Sequence, residues 1–332
     1  MGKSESLKHW TWEYKKNPIN RMEILVALKD NKIIGHYAVN PMKMKIGNKF
    51  YLVALSLDTM THNNFRGRNI FPKLASNLYN ELGKTGIPIT YGFPNSMSIN
   101  GFIKKLNWFN ISEVPIYIRP LNFRSIVYKF INKKYLSIIL GFFLNYLYNI
   151  SFKTKKISKT IKIEKLNTFS EDFDNLWEKV KSEISIGLVR NKIYLNWRYF
   201  QKPEENYQVF ALKQNEHLRG YIVLKIEARF GLKIVLIMDV LTDPSNLLYQ
   251  NSLIKFAIHY FNKKKADIIS IVMFSHSRYY YSLRKFRFIK TPKRFFPEEI
   301  HFGCRLNNKD IAKNFIKDSK NWYITWGDTD VV

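Results

Sequence analysis

The sequence predicts a mixed α/β (α+β) protein built from two tandem copies of one unit. Each copy is a mostly antiparallel sheet flanked by helices, and an apolar helical segment joins them. Three observations carry this. The 332 residues exceed the usual single-domain size, so roughly two domains of about 150 residues are expected. Residues 27–39, "ALKDNKIIGHYAV", resemble residues 211–223, "ALKQNEHLRGYIV", with Gly35 and Gly220 in matched places. Between the copies, residues 121–157 fit neither. The expected boundaries are 1–120, 121–160 and 161–332.

Each copy begins with a tryptophan-rich segment, "HWTWEYKKNP" or "YLNWRYFQKP". Trp10, Trp12 and Trp197 are expected to pack in the core, because a shared position in both copies argues for a shared packing role. The repeated stretch then reads as strand, polar turn, strand. A further strand ends in an acid and a threonine in both copies, "LSLDTMTH" and "LIMDVLTD", which matches Asp58 with Asp239 and Thr61 with Thr242.

A helix follows. In the first copy Ile70, Phe71, Leu74, Ala75, Leu78 and Leu82 recur at spacings of three and four, with Pro72 in the opening turn and Gly83 and Gly86 near the stop. In the second copy "NSLIKFAIHYFNKKKAD" takes this place. Each helix gives way to a strand, "IPITYGFPNS" or "IISIVMFSHS", and then to a short helix, "FIKKLNW" or "SLRKFRF". The aromatic and basic run "RYYYSLRKFRF" is thus the second copy's short helix and not a platform for single strands.

The connector contains "YLSIILGFFLNYLYNI", apolar except for Ser137, Gly141, Asn145 and Asn149, which recur every four residues as a narrow stripe. At 16 residues it is short for a bilayer span, which needs about 20. Lys133, Lys134, Lys153, Lys155 and Lys156 flank it. Two readings stay open: a helix packed between the domains, or one docked in an anionic membrane interface.

Composition narrows the chemistry. One cysteine, Cys304, allows no internal disulfide and fits a reducing, cytoplasmic setting. The seven histidines show no metal-ligand spacing, so no metal is expected. "MGKSESLKHW" is too polar for a signal peptide. The net charge of +28 would attract anions, but lysine is spread along the whole chain and no nucleic-acid motif accompanies it, so no nucleic-acid partner is expected.

The stretch most suggestive of chemistry is "LDTMTHNNFRGRNIFPKL", a strand, a basic turn and a helix start. Backbone N–H groups at such a helix start can hold a pyrophosphate. Arg66 and Arg68 would add charge-assisted hydrogen bonds, Gly67 frees the turn, and asparagine at 69 tolerates a left-handed conformation. No Walker loop or dinucleotide fingerprint occurs.

This stretch resembles the acyl-CoA pyrophosphate loop of GNAT family N-acetyltransferases, whose pattern is Gln/Arg-x-x-Gly-x-Gly/Ala. Arg66 fits the first position, while Asn69 and Phe71 replace the two small residues. The resemblance covers roughly residues 20–120, with a weaker one over about 170–300, where "TDPSNLLYQN" lacks both arginine and glycine and should not bind the cofactor.

The resemblance implies acyl-CoA, most simply acetyl-CoA, as cosubstrate. Backbone groups of Thr59, Met60 and Thr61 would pair with the pantetheine arm. Amides of Arg66, Gly67, Arg68, Asn69, Ile70 and Phe71 would hold the pyrophosphate, and Asn95 would contact the pantetheine or orient the thioester. Phe102, grouped with the cofactor contacts, and Ile103 stand where many members carry a tyrosine acid, so Tyr91 or a water would have to substitute. Asp58, His62 and, on the preceding strand, His36 are candidate bases.

The expected reaction is transfer of an acyl group other than an aminoacyl group to a primary amine. Tandem members of the family suggest an amino sugar or surface-polysaccharide precursor, and a basic cleft would suit a phosphorylated or nucleotide-linked acceptor. Two alternatives stand beside it: a catalytically inactive CoA-binding scaffold at a membrane, and aminoacyl transfer from charged tRNA on a related duplicated fold.

Overall fold

The computed structural model describes residues 6–131, 133–150, 158–291 and 300–330. Strands of the first half are β1 (Glu23–Lys29), β2 (Lys32–Ile46), β3 (Lys49–Thr61), β4 (Ile89–Gly92), β5 (Phe109–Glu113) and β6 (Ile116–Pro120). Those of the second are β7 (Ile161–Leu166), β8 (Ile186–Leu188), β9 (Tyr207–Gln214), β10 (His217–Arg229), β11 (Leu232–Thr242), β12 (Ile268–Val272), β13 (Ile289–Lys290) and β14 (His301–Leu306). Among the described residues they form two seven-stranded mixed sheets, ordered β1-β2-β3-β4-β14-β5 with β8 on β2, and β13-β6-β12-β11-β10-β9-β7.

The duplication is visible in the register. Gly35 pairs with Thr61 and Gly220 with Thr242. Both glycines are needed for space: a Cβ at Gly35 would come within 2.5 Å of Ile70, and one at Gly220 within 2.7 Å of Thr242. In each copy the third long strand carries a bulge just before its acid-to-threonine end, since Tyr37 and Val39 face Thr59 and Ser56, while Val223 and Leu224 face Asp239 and Ile237. An extra residue breaks the ladder and bends the strand. Beyond it the parallel neighbour is lost: β3 meets β4 at Ala54 and Leu55, and β11 meets β12 only as far as Ile237. Each sheet therefore splays open along Ser56–Thr61 or Met238–Thr242.

The sheets do not follow the sequence boundaries. β14 inserts between β4 and β5 of the first sheet, and β6 lies between β12 and β13 of the second. The tryptophans join the halves: Trp12 and Trp197 stack with ring centroids 4.6 Å apart, and each indole N–H donates to the other's carbonyl, at 2.8 and 3.1 Å. Both are buried, the core packing expected of them, whereas Trp10 is only half-buried.

The connector folds as two helices, Phe123–Ile131 and Lys134–Ile150. Large apolar side chains of the longer one are exposed and not buried between the sheets. Of its flanking lysines, Lys153, Lys155 and Lys156 lie outside the described residues.

Candidate functional site

The basic turn after β3 is built as its residues require. His62 Nδ1 accepts the Asn64 amide at 3.3 Å, and the Arg66 amide closes on the Asn63 carbonyl at 3.3 Å. Gly67 then takes φ 79° and Asn69 φ 56°, both left-handed, which suits glycine and asparagine above other residues. Asn69 caps the helix Ile70–Lys84, receives the Lys73 amide at 3.1 Å on its carbonyl, and is gripped at its side-chain oxygen by Lys105 at 3.1 Å. The Ile70 and Phe71 amides precede the helical ladder and have no protein acceptor among the described residues. They are the donors that a helix start offers to an anion.

Three cavities run from this turn toward the other half. The first, about 220 Å³, is lined by the turn, by Thr61 and Phe71, and by Gly101 and Lys105. The second, about 440 Å³, shares Phe71 and Gly101 with it and occupies the splay, against Leu57, Thr59, Phe93, Asn95, Phe102 and Trp108. The third, about 300 Å³, shares Leu57 and Asp330 with the second and lies between the halves. Trp12, Asn40, Asp58, Tyr194, Trp197 and Lys202 line it among others.

The anticipated residues fall at different points along this track. Thr59 and Thr61 line cavities, and Met60 extends from the same strand end, half exposed. Arg66, Gly67, Asn69, Ile70 and Phe71 surround the first cavity; Arg68 is outside its lining, over the Phe65 ring at 5.2 Å. Asn95 accepts the amides of Met97 and Ser98 at 3.1 and 2.9 Å, so its carbonyl oxygen shapes the turn that edges the second cavity. Phe102 is buried against Phe71 and Trp108.

Of the acid–base candidates, Asp58 lies in the third cavity, its Oδ2 accepting a 2.7 Å hydrogen bond from Tyr14. His62 is exposed and engaged as the turn's cap. His36 sits mid-strand on β2, opposite Met60. Tyr91 lies in the interior with no exposed surface and lines none of the three cavities; burial pushes its hydroxyl well above the usual tyrosine range.

The structure adds residues that local reading could not assemble. His9 is in the third cavity, half-buried on the Trp12 edge, and burial followed by the charge of Lys202 lowers its pKa, favouring the neutral imidazole. Lys202 is lowered to about 8, by burial first and Arg198 second. Asp330 is exposed by surface area yet borders both the second and third cavities, and loss of surrounding water on the cavity side raises its carboxyl to about 6. The segment before Asp330 is held firmly: buried Arg198 donates to the carbonyls of Gly327 and Thr329, each at 3.0 Å, and Arg190 binds Asp328 at 2.7 Å.

Glu13, Asp58, Glu205, Asp328 and Asp330 line the third cavity, against the cations Arg198 and Lys202. The basic cleft expected from the net charge is replaced by a carboxylate-rich one. Lysines spread along the surface say little about a pocket assembled from a few segments. Asn40 is 1% exposed, and its side-chain oxygen has no partner among the described residues. Together these groups offer acceptors to an ammonium or hydroxyl-bearing ligand. No group of metal-ligating side chains occurs among the described residues.

Residues 2–108 match the acetyltransferase (GNAT) domain family. Similar solved structures include a GCN5-related N-acetyltransferase from Anabaena variabilis ATCC 29413, 14% identical with TM-score 0.61, covering 86% of this chain and 63% of that one. A probable N-acyltransferase from Enterococcus faecalis V583 is 10% identical with TM-score 0.60, covering 91% and 66%. Saccharomyces cerevisiae N-myristoyltransferase with bound myristoyl-CoA is 12% identical with TM-score 0.56, covering 84% and 68%. This chain thus spans slightly less than two thirds of the first two proteins. No curated protein matches the chain significantly. The first third carries a GNAT domain, and the two-sheet architecture is GNAT-like.

Proposed function

We propose that this chain, with its GNAT domain, transfers a short acyl group, most simply acetyl, from acyl-CoA to a primary amine in the cleft between its halves. The observation that carries the reading is the continuous track from the basic turn, through the splay, to a carboxylate-rich cavity. The turn would hold the pyrophosphate, the free edge of β3 the pantetheine, and the cleft the acceptor.

Asp330 is the general base we favour, because it alone among the cleft carboxylates also borders the second cavity, where a thioester at the end of the β3 edge would lie. It takes a proton from the acceptor ammonium, and the free amine attacks the thioester carbonyl. The C–S bond breaks, the nitrogen, cationic after attack, loses its second proton to solvent, and the proton on Asp330 passes to the departing thiolate. That transfer is downhill, because a thiol's pKa of about 8.5 exceeds the carboxyl's value of about 6. No tyrosine acid is required at the position of Phe102. Asp58, Glu13 and the Asn40 oxygen hold the acceptor.

Trp108 favours a short acyl group. Its indole lies across the paired Gly92 and Gly303, where added Cβ atoms would approach it to 3.3 and 3.4 Å, and its N–H is fixed by Tyr79 at 3.1 Å. The ring thereby fills the floor of the splay. An amino sugar, free or within a surface-polysaccharide precursor, fits a cleft that supplies both carboxylates and a neutral oxygen acceptor.

The test is release of free CoA thiol from acetyl-, hexanoyl- and decanoyl-CoA across amino sugars, their nucleotide-linked forms and simple amines. Acetyl-CoA with an amino sugar should be the fastest pair, and Trp108→Leu should raise the decanoyl-to-acetyl rate ratio about tenfold, a change of roughly 1.4 kcal/mol. Acetyl-CoA binding with no thiol release on any amine would leave a CoA-binding scaffold as the better account.

A further inference from the structure

We propose that the helical hairpin Phe123–Ile150 docks the protein on an anionic membrane surface, lying in the interface without crossing it. The inference is independent of the reading of the cleft. Its longer helix is turned inside out. The polar and small stripe faces the hairpin's shorter helix: a Cβ on Gly141 would lie 2.5 Å from the Arg124 Cα, Ser137 is buried, and Asn145 accepts the Phe123 amide at 3.0 Å. The apolar side is left outward, with Tyr135, Ile139, Phe142, Phe143 and Tyr146 exposed by 55 to 81%. Exposed apolar surface of this extent marks an interaction site.

Phe230 adds to the surface around the hairpin. It is 59% exposed at the β10–β11 turn, at φ 55°, with Lys129 of the hairpin 4.8 Å from the ring centroid. A left-handed aromatic residue is rare, and the strain is retained in a turn that presents the ring to solvent.

Charge selects the occupant. From Val114 to Ile163 the sequence has no aspartate or glutamate and ten lysines and arginines. A second copy, itself carrying +28, would be repelled, whereas anionic headgroups attract juxtamembrane cations. The 17-residue helix would be about 25 Å long, short of the roughly 30 Å hydrocarbon core. No helix among the described residues is long and apolar enough to cross a membrane. Outward phenylalanines and tyrosines flanked by lysines suit an interfacial helix.

The experiment is flotation of the full chain with phosphatidylcholine vesicles, with and without phosphatidylglycerol at about 30 mol%. The protein should float with the anionic vesicles at least about tenfold more than with the neutral ones, less so in high salt. Ile139→Asp with Phe142→Asp should abolish flotation at unchanged melting temperature, because both side chains are exposed, while Ile193→Asp, exposed on the helix Lys192–Tyr199, should not. Failure of the wild type to float with anionic vesicles would overturn the proposal. So would flotation untouched by the double substitution, or a dimer in solution that this substitution dissociates.

Discussion

The two halves share one device, a bulged strand that leaves its parallel neighbour, and treat the resulting opening in opposite ways. In the second half the protein's own side chains tie down the strand end, leaving a cavity of about 240 Å³ beside Leu241, Tyr279 and Tyr323, with no basic turn following the strand. Tyr279 Oη accepts the Thr242 amide at 2.9 Å, Tyr323 Oη donates to the Val240 carbonyl, and Asp239 is locked by Arg190 at 3.1 Å, Tyr221 at 3.0 Å and Tyr199 at 3.3 Å. In the first half the matching stretch borders cavities, and Asp58 retains one equivalent tie, from Tyr14, the counterpart of Tyr199. One copy has become the other's support. Its buried arginines position a segment that ends in the first copy's cleft.

Removing the base should test this division most severely. Asp330→Asn should lower kcat/KM by about 10² to 10⁴ while acetyl-CoA still shifts the melting temperature. In the wild type kcat/KM should rise as pH climbs to about 6 and then level off, because the base acts when ionised. The variant should lack that limb. Stability runs the other way. The folded carboxyl holds its proton up to about 6 against 3.8 for the ordinary value, so its contribution is full below the lower value and is lost as pH rises through the higher one. A pH-stability curve unchanged by Asp330→Asn would show that the residue is not held as described.

The phosphate grip belongs to one copy only. Arg66→Glu should weaken acetyl-CoA binding about 10- to 100-fold, by loss of a charge-assisted contact and by repulsion. Leu247→Glu, an exposed position at the start of the second copy's helix, should leave it unchanged. Equal effects measured by calorimetry would erase the asymmetry.

The smallest effect concerns the second half's tied strand end. Tyr279→Phe strands the buried Thr242 amide and should cost about 1 to 3 kcal/mol in denaturant unfolding. It should not create a second acyl-CoA site, because the adjoining turn has no arginine. Two bound acetyl-CoA molecules per chain would contradict the role given to that half.

What could be read from the sequence was what is local or repeated. The paired glycines, the acid-to-threonine strand ends and the left-handed Asn69 each follow from a short pattern with a steric cause. The cleft was not legible, since His9, Asp58, Lys202 and Asp330 come from four distant segments and only the folded chain brings them together. Tyr91 shows the same limit: strand periodicity identifies a face, but not that Trp322 from the chain's last segment packs over it, with ring centroids 6.4 Å apart. The exchange of β6 and β14 was hidden too, because strand pairing across the chain leaves no local signature.

That exchange governs how the protein is made. Until Gly303 leaves the ribosome it cannot pair with Gly92, so β4 emerges with an uncovered edge and waits while 211 further residues (303 − 92) are made. Pairings so far apart close slowly, and open strand edges attract one another. A stop codon after residue 120 would therefore yield neither an independent domain nor half an activity, but a sheet with its middle missing.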